Sequence, residues 1–123
     1  MKYLLLIYHQ ESAWNRIEEA EKQEMYTGYQ ALREDLTARR VYLSGSQLQP
    51  TSKATSVRIR DGKELVTDGP FAETHEQLGG YFLIEAANQD EAIGIAKRIP
   101  SAKMGTIEVR PLVEMQATAG SAA

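Results

Sequence analysis

The chain has 123 residues, enough for one domain, and its 42% hydrophobic and 25% charged residues are an ordinary globular mixture. With no Cys and two His it excludes disulfides, thiolate nucleophiles and Cys-based zinc or iron–sulfur sites, and neither a metal nor a cofactor is expected. Its 14 Lys and Arg against 17 Asp and Glu give a net charge of −3, without the basic excess of a phosphate-backbone binder, so no direct nucleic-acid partner is expected.

The opening run Tyr3 to Tyr8 is apolar and of strand length, and reads as a strand buried on both faces. It is shorter than the roughly 7–15 apolar residues of a secretory signal. Nothing approaches the ~20 apolar residues of a membrane span, so no membrane partner and a cytoplasmic location are expected. Asn15 and Glu18 form a capping-box pattern, which predicts a helix from Arg16 to about Arg39. Met25, Tyr29, Leu32 and Leu36 line its apolar face.

Val41 to Ser44 starts a second strand, which Gly45 and Ser46 interrupt. A loop follows at Gln49–Ser52. Val57 and Ile59 alternate with Arg58 and Arg60 as a half-exposed strand, and Asp61-Gly62 is a strong hairpin turn with its return at Glu64–Thr67. Asp68-Gly69-Pro70-Phe71 ends that pairing, and Thr74 to Gln77 reads as a short helical turn. Gly79-Gly80 precedes a strand over Tyr81–Glu85. Asn88 and Glu91 repeat the capping pattern for a helix to about Arg98, with Ala92, Ile93, Ala96 and Ile99 as its apolar face. Thr106–Arg110 is the last strand. Residues 1–115 form one domain, and Gln116 to Ala123 is expected to be a flexible tail.

This order predicts an α+β fold, a ferredoxin-like βαββαβ sandwich with an extra hairpin strand. Two helices cover only one sheet face, yet the first strand and Tyr81–Ile84 are apolar on both. A second copy of the chain is the simplest cover for the other face, so a homodimer is expected.

Val66 to Glu73 (VTDGPFAE) and Glu76 to Glu85 (EQLGGYFLIE) resemble the signature of the YCII-related family, in the branch named for its DGPF motif. Met1–Tyr8, Arg58–Gly62 and Glu108–Pro111 are similar to that branch's first strand, hairpin and last strand. The resemblance implies a fold of the dimeric α+β barrel type and a mostly unassigned function. It also implies an association with extracytoplasmic-function sigma factors, which lie beside or fused to many such proteins. Enzymes proposed in the wider family use a His on the first helix and an Asp near its end. Here the corresponding stretch offers Gly28, with Tyr26 and Tyr29 nearby, and then Thr37, with Asp35 close.

That departure leaves the DGPF segment as the main candidate site. Asp68, Glu73 and His75 are the candidate catalytic groups, since a carboxylate beside an imidazole is the simplest acid–base pair. Gly69, Pro70, Phe71, Arg58 and Tyr81 are the candidate ligand-binding residues. Tyr8, Tyr26, Tyr29 and Tyr81 are candidates to line a pocket, Trp14 is a candidate staple or dimer contact, and His9 is placed to meet His75 across neighbouring strands. The first expectation is a small dimeric module that binds a ligand or regulates. The alternative is a lyase, isomerase or dehalogenase acting on a small molecule through the carboxylate–His pair at the DGPF loop.

Overall fold

The computed structural model describes residues 1–114, so the expected tail lies outside the described residues. The chain runs β1 (Lys2–His9), α1 (Glu11–Arg16), α2 (Glu19–Ala38), β2 (Tyr42–Gln47), β3 (Thr55–Arg60), β4 (Lys63–Asp68), β5 (Gln77–Glu85), α3 (Gln89–Ala96) and β6 (Thr106–Pro111). Short 3-10 turns lie at Thr51–Lys53 and Pro100–Lys103. β2, β5, β1 and β6 form one four-stranded antiparallel sheet in that order. The architecture is α+β and compatible with a ferredoxin-like fold. Among the described residues, no helix is long and apolar enough to cross a membrane.

Alternation along the central strands decides what is buried. Tyr3, Leu5 and Ile7 of β1, with Phe82 and Ile84 of β5, face the helices and are almost fully buried. Leu32 and Leu36 of α2, Ala92, Ile95 and Ala96 of α3, and Ile99 beyond it close the core over them. The intervening residues Leu4, Leu6, Tyr8, Tyr81 and Leu83 are half-buried on the opposite face, which no helix covers.

Several local readings are corrected. Asn15 does not cap the long helix but sits within α1, and the chain is extended at Ile17 and Glu18 before α2 begins. The start of α1 is anchored from a distance: the Glu11 amide donates to Gln77 Oε1 at 3.0 Å, and the Glu11 carboxylate accepts from the Thr51 amide and hydroxyl at 2.8 and 2.6 Å. β2 runs through Gly45 and Ser46, because β5 pairs with both. No helical turn forms at Thr74–Gln77. The Gln77 side chain instead donates to the Thr74 carbonyl, and β5 starts at Gln77 and runs through Gly79 and Gly80. In α3, Ile95 rather than Ile93 is buried. The hairpin supplies not one extra strand but a separate two-stranded ribbon, β3–β4, outside the main sheet.

Other readings hold. Asn88 Oδ1 accepts from the Glu91 amide at 2.9 Å, the expected cap of α3. Asp61 and Gly62 have φ of 52° and 74°, as a type I′ turn requires.

Candidate functional site

Where β1 ends, the sheet and the first two helices separate around a cavity of about 360 Å³, within the usual range of small-molecule sites. Alternation carries His9 to the same face as Ile7, so its imidazole enters the cavity wall. A bulge allows this. Ile7 pairs with Gly80 and Tyr8 with Leu78, which leaves Gly79 as the extra residue on β5. A Cβ at Gly79 would overlap the His9 ring, so glycine makes the room in which the imidazole lies. Nδ1 of His9 is buried and has no hydrogen-bond partner.

The helices supply the remaining wall. Trp14 of α1 stands 6.1 Å from His9 and 5.7 Å from Tyr26, ring centre to ring centre. Tyr26, Tyr29 and Arg33 recur at three- and four-residue spacing on α2 and all line the cavity. Tyr29 is edge-on to Phe82 and shares a 2.6 Å hydrogen bond with the Ser101 hydroxyl. Burial raises the Tyr29 phenol above its ordinary range; the bond to Ser101 and the nearby Arg33 act the other way. The site is therefore aromatic, with Arg33 the charged side chain on its wall and no carboxylate lining it.

The DGPF segment lies elsewhere. Asp68 ends β4 and is exposed. Gly69 has φ of 93°; its amide donates to the Ala54 carbonyl at 2.7 Å, and its carbonyl accepts from Ser56 Oγ at 2.8 Å. Pro70, Phe71, Glu73 and His75 are exposed, Phe71 to 78%. The nearest bond of His75 runs to Gln10, Nε2 to Nε2 at 2.8 Å. Arg58 is exposed on the ribbon, and Tyr81 lies on the open sheet face, as does Tyr8. Of the four tyrosines expected at a pocket, Tyr26 and Tyr29 reach it. His9 does not bond to His75: its ring lies between Gly79 and Trp14. No group of three or more His, Asp or Glu able to hold a metal occurs among the described residues.

The family model of the YCII-related domain matches residues 1–116. The chain belongs to the YCII-related family. It is also 37% identical over 124 residues to an uncharacterized protein of Rhizobium meliloti (strain 1021), across 91% of this chain and 92% of that one.

In this YCII-related chain the sequence reading passed over His9 and Arg33 as cavity residues. The signals were present. His9 continues the odd-numbered series Tyr3, Leu5, Ile7, and Arg33 follows Tyr26 and Tyr29 on one helical face. What could not be read was the Gly79 bulge that seats the imidazole.

Proposed function

We propose that this protein is a small dimeric ligand-binding or regulatory module, with its ligand seat in the cavity between the sheet and α1–α2. One observation carries the reading: an aromatic cavity whose wall holds an imidazole with a buried, unpartnered nitrogen. Buried polar groups are normally paired, and one left unpaired in a cavity wall calls for an explanation, which a bound ligand or water beside the ring would supply.

The dimer has separate support. On the open sheet face the strip Leu4, Leu6, Tyr81 and Leu83 is bordered by both signs of charge, Lys2 and Glu85 at one end and Glu108 and Arg110 along β6. A two-fold axis would set each copy's apolar strip on the other and offer each rim an opposite charge. The DGPF turn Asp68-Gly69-Pro70-Phe71, with Glu73, His75 and Arg58, is a second candidate surface outside the cavity, open to a partner or a ligand. Regulation beside an extracytoplasmic-function sigma factor suits a module that senses a small molecule and carries net negative charge. The lyase, isomerase or dehalogenase reading draws no support within one chain, since the recorded partner of His75 is Gln10 rather than Asp68 or Glu73.

A test is ligand-observed and amide-shift NMR with ring-containing fragments. The expected shifts fall on His9, Trp14, Tyr26 and Gly79. They vanish in Gly79→Ala, whose added Cβ overlaps the imidazole and displaces it from its seat. Shifts confined to Asp68–His75, or binding unaffected by Gly79→Ala, overturn the placement of the seat.

A further inference from the structure

We propose, building on the ligand-binding reading above, that the cavity selects a small planar carboxylate, an aromatic or conjugated acid. Arg33 takes its carboxylate and His9 donates to a second oxygen from Nε2.

The charge on the wall is of one sign. Arg33 lines the cavity, and no Asp or Glu does. Arg33 forms no ion pair among the described residues, whose four ion pairs use the N-terminus, Arg39, Arg98 and Arg110 as cations. A second cation is close: the Lys22 ammonium sits 5.4 Å above the Trp14 ring. Arg33 is exposed at the cavity's edge, where a carboxylate can pair with its fork and a cationic ligand would be repelled. A guanidinium offers two parallel N–H groups that match a flat carboxylate.

His9 fixes a second contact. A neutral imidazole carries one donor nitrogen and one acceptor. Nδ1 is the nitrogen buried without a partner; Nε2 is not, which leaves it as the nitrogen a ligand in the cavity can reach. In the tautomer that carries its proton on Nε2, the ring presents a donor to the cavity it lines. Tyr29 adds no third donor of equal freedom, because its hydroxyl is already bonded to Ser101. The rest of the wall is flat rings: Trp14, Tyr26, Tyr29 and Phe82. Two donors to oxygen within an aromatic slot call for a ligand that is planar, apolar on its faces and anionic at one edge.

The test is calorimetric titration of the full chain with benzoate and 2-naphthoate, against benzamide, 2-naphthamide, benzylammonium and phenyl phosphate. The acids are expected to bind about tenfold or more tightly than their amides, the effect of one charge-assisted contact. Arg33→Gln should abolish that advantage, bringing acid and amide to about equal affinity. His9→Gln should weaken both acid and amide, and His9→Phe more so. Equal affinity for acid and amide, or discrimination that survives Arg33→Gln, overturns the carboxylate assignment but leaves a ring-binding cavity. Tighter binding of phenyl phosphate replaces the carboxylate with a tetrahedral anion. Failure of every ring probe at millimolar concentration overturns both this assignment and the ligand-binding reading.

Discussion

Tyr29 shows how one side chain ties the site to the stability of the molecule. Its ring packs on Phe82, and its hydroxyl is bonded to Ser101, itself nearly buried. Burial raises the phenol pKa in the folded chain. A group whose folded pKa exceeds its unfolded value adds stability that is fully present below the unfolded pKa. That stability is lost as pH rises through the folded one, here above about pH 10. Tyr29→Phe removes the ionisable group and leaves Ser101 Oγ without its partner. The variant should be about 1–2 kcal/mol less stable in urea at neutral pH. Its disadvantage should shrink as pH is raised past 10, because only the parent is then penalised for burying a phenol. A gap that stays constant up to pH 11 would show that the hydroxyl's burial does not matter.

At the scale of elements, the ribbon β3–β4 differs from everything else in the chain. Val57, Ile59 and Val66 are 64–65% exposed, and the ribbon's extensive contacts are only between its own two strands. An isolated two-stranded hairpin is marginal in water. Its amides should therefore exchange with solvent orders of magnitude faster than those of β1 and β5 when the protein is monomeric, as read by hydrogen-exchange mass spectrometry. Protection matching the central strands would show that another surface covers it. The hairpin itself was legible, since Asp61-Gly62 states its turn chemistry locally. So were the α3 cap at Asn88 and the buried face of α2 at Leu32 and Leu36. Unreadable features depend on distant partners. Glu11 starts α1 through Thr51 and Gln77, and Gly79 is a bulge because of His9. α2 ends in a Schellman arrangement with Arg40, not glycine, at φ of 59°, the Val41 amide reaching back to the Leu36 carbonyl. The same division holds for the site: Tyr26 and Tyr29 were among the expected pocket residues, while His9 and Arg33, and the choice between cavity and DGPF turn, needed three dimensions.

For the whole molecule, the open sheet face is where the proposed dimer would form. Leu6 pairs with Tyr81 at the centre of that face, away from the cavity. Leu6→Lys places a charge in the apolar strip and spares the core residues Leu5 and Ile7 on the other side. Sedimentation should show the parent at twice the chain mass and the variant at one chain mass, with the cavity's ligand binding retained. A variant that stays dimeric would assign the interface to another surface.

The base of the ribbon carries a consequence of its own. The Gly69 amide meets the Ala54 carbonyl at 2.7 Å, and the Ser56 hydroxyl adds a second tie at the same place. The two ends of the arm are thus already joined by hydrogen bonds, before the chain re-enters the sheet. Joining Ala54 to Gly69 should therefore remove the arm and still leave a folded body, because the four-stranded sheet, its core and its cavity have no residue inside the cut. Gly69 of the DGPF motif sits on that seam, so taking the arm away would measure what the arm contributes.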